Sequence, residues 1–276
     1  MYQGRLTFVG GGNMAASLIG GLIAQGYPAD RITVCDPIAE TRQQLAAQFD
    51  VATTDDNRAA ASRAETLVLA VKPQIMAAVA RELAPALTHR PLLISIAAGI
   101  PLAALATWLG SELPLVRCMP NTPALVRAGA TGLYGSAQVG AEQRQIAEQI
   151  LAAVGTTTWV AEEAQIDAVT ALSGSGPAYF FLVMEILMTV GRELGLPPDT
   201  ARALTLQTAL GAAQMAQGSD LDVGELRRRV TSPGGTTAAA IEVLQAGGLA
   251  ELFAAALRAA DQRAREMGAT AQEASA

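Results

Sequence analysis

The sequence predicts an α/β fold: a parallel sheet clad in helices over the first half of the chain, followed by an all-helical half. Three observations carry this. Short β-branched or apolar runs alternate with helical stretches as far as Val160, and then the strand signals stop. The runs, Thr66–Val71 (TLVLAV) above all, are apolar throughout rather than alternating, as strands covered on both faces must be. Hydrophobic residues make up 51% of the 276 residues but aromatic residues only 4%, and alanine is abundant, which favours close helix packing.

The elements follow in order. Leu6–Val9 reads as a strand, Met14–Gln25 as a helix, Ile32–Cys35 as a strand and Pro37–Phe49 as a helix. A weak strand near Val51 and a helix from Asn57 come next, then the strand Thr66–Val71 and the helix Gln74–Ala86. Leu92–Ile96, Leu115–Cys118, Gly132–Tyr134 and Thr156–Val160 complete the strands. From Glu163 the pattern is helical, with breaks at Ser173–Pro177, Gly195–Asp199, Gly218–Asp222, Ser232–Gly235 and Gly247-Gly248. The stretch Pro177–Leu194 is apolar nearly all round, so it is expected to be buried centrally or covered by another subunit. Its most apolar part, Ala178–Val190, is interrupted by Glu185 and is expected to be too short to span a bilayer. The tail from Gly268 is small and polar and is expected to fray. A domain boundary is expected near Ala161–Glu163, giving domains 1–162 and 163–276.

Composition excludes several functions. A net charge of -6 argues against nucleic acid as a partner, and Arg227-Arg228-Arg229 reads as a solvated helix face. Cys35 and Cys118 lie in apolar runs and read as packing residues of a reducing compartment; no spacing suggests a metal site. The start, MYQGRLTFVGGG, lacks the regions of a signal peptide, so a soluble cytoplasmic protein is expected. The single histidine, His89, falls in a polar connection, which leaves no His-based acid–base or triad chemistry.

Two loops suit anions. Phe8–Ala15 fits G-x-G-x-x-A, with Gly10, Gly12 and Ala15 in the three positions, directly after a strand and opening a helix. Gly10 permits the tight turn, Gly12 lets the backbone approach a pyrophosphate, and Ala15 keeps the helix close to the strand. Asp36, ending the second strand 24 positions past Gly12, is placed to read a ribose and favours the free 2′-hydroxyl of NAD; Arg42 can offset its repulsion of a 2′-phosphate. Ala70-Val71-Lys72-Pro73, Ser95–Gly99 and Met119–Pro123 end further strands and form one rim, with small residues leaving room for a flat ring and Asn121 offering both a donor and an acceptor. The second loop is Ser232-Pro233-Gly234-Gly235-Thr236-Thr237. Proline and glycines shape a turn into a helix whose first N–H groups and threonine hydroxyls can hold a carboxylate. A 2-hydroxyacid or β-hydroxyacid dehydrogenase would need a dedicated Lys or His base, and the helical half has neither. A non-catalytic NAD(P)-binding sensor or scaffold would not need the second anion loop.

Gly10–Met14, Ala70–Pro73, Ser95–Gly99, Met119–Pro123, Ser173–Tyr179 (SGSGPAY) and, most diagnostic, Leu226–Gln245 together resemble pyrroline-5-carboxylate reductase, nearly along the whole chain. The resemblance implies NAD(P)H-dependent reduction of 1-pyrroline-5-carboxylate to L-proline, the last step of proline biosynthesis. It implies a Rossmann domain followed by an all-α dimerisation domain, with homodimers assembling into a decameric ring. By position it implies that Ser232, Gly234, Gly235 and Thr236 hold the substrate carboxylate, and that Thr237 meets the ring nitrogen as the catalytic hydroxyl. It implies cofactor contacts at Gly10, Gly11, Gly12, Asn13, Met14, Asn57, Ala70, Val71, Lys72, Pro73, Ala97 and Ala98. Asp36 stands where other members carry a small hydroxyl residue suited to a 2′-phosphate, which points to NADH use at least comparable with NADPH. Asp220 stands where some members carry a substrate-side Glu.

Overall fold

The computed structural model describes residues 2–110 and 112–273. Eight strands form one sheet: β1 (Leu6–Val9), β2 (Ile32–Cys35), β3 (Ala52–Thr54), β4 (Thr66–Leu69), β5 (Leu92–Ser95), β6 (Leu115–Met119), β7 (Gly129–Gly135) and β8 (Gly155–Trp159). Their spatial order is 3-2-1-4-5-6-7-8, and the first six are mutually parallel. β7 runs antiparallel to β6, and β8 is parallel to β7, so the expected parallel sheet reverses at one end. The cause is the short 120–128 connection between β6 and β7, because a parallel crossover needs about a dozen residues or more.

Helices α1 (Asn13–Ala24), α2 (Ala39–Phe49), α3 (Asn57–Ala61), α4 (Pro73–Leu83), α5 (Leu102–Leu109) and α6 (Ala141–Ala152) cover the sheet. Alternate residues of each apolar strand feed opposite cores. Leu6, Phe8, Ile32, Val34 and Ile94 pack with Leu18, Leu22 and Leu151 on one face. Val9, Leu67, Leu69 and Leu93 pack with Met76, Leu83 and Leu105 on the other. This is why the strand runs carry no polar alternation.

The remaining helices are α7 (Gln165–Val169), α8 (Gly176–Glu193), α9 (Pro198–Gln217), α10 (Val223–Arg229), α11 (Thr236–Ala246) and α12 (Leu249–Glu273). The chain divides into two compact units, one running to Ser175 and resuming at Ala259, the other Gly176–Arg258. The returning stretch of α12 joins the first unit at close quarters. A side-chain carbon at Gly99 would come 2.9 Å from Met267 Cβ, and one at Gly268 would come 3.5 Å from Pro101. The tail expected to fray is therefore helical from Gly268 to Glu273, where the glycine allows that contact; its last three residues lie outside the described residues.

In the second unit α8 packs on α9 where Gly191 faces Ala201; a carbon added at Gly191 would meet Ala201 Cβ at 3.4 Å. Phe180, Phe181 and Leu187 of α8, Leu204 and Met215 of α9, and Leu252 of α12 are all more than half exposed in the single chain. A π turn at Thr170–Gly174 continues the helical path where a break was expected, so the helical run reaches from Gln165 to Glu193, 29 residues, and its most apolar 18-residue window has a mean hydropathy of 1.3. By length and composition alone the longer run passes as a span, as the core helix of a soluble protein also can; Ala178–Val190 by itself stays short of one.

Candidate active site

The glycine-rich turn lies at the carboxyl ends of β1 and β4, where the strand order changes direction. Gly10 has φ +102°, and a side-chain carbon there would come 2.8 Å from the Ala70 backbone and 3.0 Å from Val71 N. The close approach of Gly10 to Ala70-Val71 brings two of the sequence-predicted segments into contact. Gly10 N donates to Cys35 O at 2.8 Å, and Ala70 N donates to Val9 O at 2.8 Å, so the turn is fixed to both neighbouring strands. A side-chain carbon at Gly12 would instead meet nothing within 4 Å. Gly12 is the N-cap of α1, and no side chain caps that helix, so the first-turn N–H groups at Asn13 and Met14 lie open beside a glycine with free space over it. That cradle fits a dinucleotide pyrophosphate. Ala15 is buried at 1% exposure, as close packing of helix on strand requires.

Asp36 follows β2 and is half-buried. Its Oδ2 accepts from Gly11 N at 2.8 Å and its Oδ1 from Ile38 N at 2.9 Å, which fixes the carboxylate beside the glycine turn. Cys35 next to it is buried, and burial first, then the Asp56, Glu82 and Asp36 carboxylates, push its thiol up to about 12. Cys118 is pushed up by burial alone, so both cysteines are inert packing residues. Asn57 opens α3, its Nδ2 donating to Glu82 Oε2 at 3.3 Å. Lys72 is the exposed N-cap of α4, and Pro73 is that helix's first residue, which ends β4's path and turns the chain. Ala97 is buried and Ala98 half-buried, two and three residues beyond β5.

Asn121 is more committed than the sequence suggested. Its Nδ2 donates to Ser173 O at 3.1 Å and lies 3.3 Å from Ser173 Oγ, while its Oδ1 accepts from Ala130 N at 2.9 Å. A carbon added at Gly174 would collide with Met119, so Met119–Asn121 and Ser173-Gly174 form one interlocked cluster. Sequence reasoning passed over Arg117. It lies on β6, 4% exposed, with Nη1 3.2 Å from Glu163 Oε1 and Nη2 2.8 Å from Asp167 Oδ1. Glu163 Oε1 also accepts from Leu102 N at 2.7 Å, so one carboxylate caps α5 and fixes the end of the 96–101 loop. An arginine inside the apolar run LVRCM was the available signal.

In the other unit, Thr231–Gly235 leads into α11. Gly234 has φ +72° with open space over it, and Gly235 N donates to Ser232 O at 3.0 Å, closing a tight turn. Gly235 is the N-cap of α11, with no side chain capping its first N–H groups. Ser232, Thr236 and Thr237 are exposed. The turn thus presents free backbone donors and hydroxyls to an anion. Asp220 is exposed in the α9–α10 connection, separated from the turn in the chain by α10. Arg228 and Arg229 are exposed and paired with Glu225, the solvated face expected of them. His89 is exposed and its Nε2 lies 2.8 Å from Ala64 O. No cluster of metal-ligating side chains occurs among the described residues.

The strand order and the open glycine cradle at the strand ends define a dinucleotide-binding oxidoreductase of the Rossmann type. A family model described as NADP oxidoreductase, coenzyme F420-dependent, matches residues 5–99, and one described as pyrroline-5-carboxylate reductase dimerisation matches residues 163–267. The pyrroline-5-carboxylate reductase of Pseudomonas aeruginosa is 58% identical over 263 residues, covering 95% of this chain and 96% of that protein. A solved pyrroline-5-carboxylate reductase from Coxiella burnetii superposes with a TM-score of 0.93 at 48% identity, covering 96% of this chain and 99% of that one. The Plasmodium falciparum pyrroline carboxylate reductase, solved with NADP bound, gives 0.86 at 30% identity, covering 97% and 99%. The chain belongs to the pyrroline-5-carboxylate reductase family.

Proposed function

We propose that this chain reduces 1-pyrroline-5-carboxylate to L-proline with NADH or NADPH. The observation that carries the reading is the 232–237 turn: a positive-φ glycine and an uncapped helix start form an anion site that dinucleotide binding does not call for. The Gly234 N–H and the first-turn N–H groups of α11, with the Ser232 and Thr236 hydroxyls, bind the substrate carboxylate and so fix the ring, while the Gly235 N–H, engaged by Ser232 O, shapes the turn. The Thr237 hydroxyl holds the ring nitrogen, and Asp220 acts on the substrate side. Gly10 to Met14 cradle the pyrophosphate, while Asp36, Asn57, Ala70 to Pro73, Ala97, Ala98 and Asn121 complete the cofactor side, Asn121 by tying the rim together. When bound, the reduced nicotinamide supplies the hydride that adds to the imine carbon. The C=N π pair moves onto nitrogen, which takes a proton, and the product is the secondary amine. An imine needs no base to extract a proton from an alcohol, which suits a helical half without Lys or His.

In this reading residues 1–162 bind the coenzyme, and 163–276 bind substrate and dimerise, as the start of the dimerisation match at 163 supports. The exposed apolar faces of α8, α9 and α12 are covered by a second copy, and dimers assemble further into a decamer. The enzyme works in the cytoplasm, away from membranes and nucleic acid, as its net charge of -6 and free buried cysteines support. The test is oxidation of NADH or NADPH, followed at the reduced-nicotinamide band on adding the imine. Thr237→Ala should lower kcat/KM about 5- to 150-fold, the equivalent of a hydrogen bond worth about 1–3 kcal/mol in the transition state. No oxidation of either coenzyme by the wild type sinks the reading, and an unchanged kcat/KM in the variant removes Thr237 from it.

A further inference from the structure

A third residue stands behind the ribose corner formed by Asp36. Arg42, in the first turns of α2, donates from Nη1 to Asp36 O at 2.7 Å. Its Nη2 lies 3.4 Å from Asp55 Oδ2, just past β3, and the Arg42 side chain is only 20% exposed. Asp36 N donates to Thr54 O at 3.1 Å, so the ends of β2 and β3 and the start of α2 are laced together at this point. The Asp36 carboxylate is separately pinned by the N–H groups of Gly11 and Ile38. The corner therefore sets two carboxylates, Asp36 and Asp55, against one guanidinium that already faces the protein through two of its nitrogens.

We propose that Asp55 is a determinant of coenzyme choice: by engaging Arg42, it keeps the cation beside the ribose-reading carboxylate from serving a 2′-phosphate. A ribose esterified only at its 5′ oxygen, with a free 2′-hydroxyl, asks nothing of Arg42 and finds Asp36 oriented as an acceptor. A 2′-phosphate brings about two further negative charges to a corner of net charge -1, as Asp36, Asp55 and Arg42 count it. Removing the Asp55 charge makes the corner neutral and frees Nη2 to turn outward for a charge-assisted bond. Asp55 itself is 69% exposed and pairs with no other charged side chain among the described residues, so its pair with Arg42 adds little to stability, and the substitution is expected to leave the fold intact. Asp55 is a positioning residue, acting through Arg42 rather than on the coenzyme.

The turnover arm of the test rests on the reductase reading, whereas the binding arm does not. Dissociation constants for NADPH and NADH are measured by reduced-nicotinamide fluorescence on the full-length wild type, Asp55→Asn, Arg42→Gln and the double variant. Values of kcat/KM with the imine are measured for both coenzymes. The preference ratio, NADPH over NADH, should rise about tenfold in Asp55→Asn, with NADH values within about twofold of wild type, and the gain should shrink as salt is raised. In the double variant the ratio should return to that of Arg42→Gln. A change below twofold in Asp55→Asn overturns the proposal. So does a gain that survives in the double variant, since direct repulsion by Asp55, without Arg42, then explains it. A shifted binding ratio without turnover upholds the proposal and defeats the reductase reading.

Discussion

Arg117 is the buried charge whose removal reaches furthest. Its guanidinium is 4% exposed and bridges Glu163 and Asp167, themselves 27% and 14% exposed, through two different nitrogens. Two charges about 4 Å apart at an effective dielectric near 20 attract by about 4 kcal/mol, and much of that offsets the desolvation of all three groups. Deleting the arginine recovers only its own share of that desolvation. It leaves two half-buried carboxylates facing each other, which is why breaking such a cluster costs about 3–5 kcal/mol. Arg117→Met keeps most of the volume, so its loss reports charge rather than a cavity. The expected result is a fall in unfolding free energy of about 3–5 kcal/mol in urea titrations at neutral pH and fixed protein concentration. Adding Glu163→Gln and Asp167→Asn to Arg117→Met should recover more than half of it, because the stranded charges are then gone. A second readout follows from Glu163 Oε1, which also caps α5 at Leu102 and anchors the loop carrying Ala97 and Ala98. In Arg117→Met the KM for the nicotinamide coenzyme should rise more than kcat falls. A loss below about 1 kcal/mol, or full stability without any change in coenzyme KM, refutes the view that this cluster holds the loop.

Two further predictions concern the glycine cradle and the oligomer. Gly12→Val should fold with a near wild-type melting temperature, since nothing lies within 4 Å of the added carbon, but should lose dinucleotide binding by about tenfold or more in fluorescence titration, because the new side chain fills the cradle. Unimpaired binding would show that the pyrophosphate does not use this turn. Phe181→Glu with Leu187→Glu, placed on the exposed apolar surface of α8, should reduce the mass measured by light scattering to that of smaller species; unchanged mass would put the contact between copies elsewhere.

How much of this was legible in the sequence differs between the two halves, for a physical reason. In the sheet, each apolar run is self-reporting: a strand buried on both faces has no polar alternation, and Leu6–Val9 or Thr66–Leu69 shows this without any partner being known. Glycines with a backbone demand were equally readable, since Gly10 at φ +102° and Gly234 at φ +72° both sit in motifs that need them. What the sequence did not carry was anything decided by a distant partner. The reversal at β7 depends on how the short 120–128 connection closes, and the order of Gly268 depends on what it meets at Gly99 and Pro101. Asn121 offered a donor and an acceptor on paper; only the approach of Ser173 and Ala130 shows both engaged.

The same distinction governs charge. Asp36 could be read from its spacing to the glycine turn, because the ribose-reading position is defined by the local βα geometry. Asp55 could not, because its pairing with Arg42 arises only when β3 is laid beside β2, and a carboxylate after a weak strand carries no signal of its own. Sequence motifs therefore locate candidate ligand-facing residues, while the residues that set the availability of those groups emerge from strand order. On the proposed reading that separates what would bind a dinucleotide at all, the open N–H groups around Gly12, from what would discriminate between two dinucleotides differing by one phosphate, the partner of a single guanidinium.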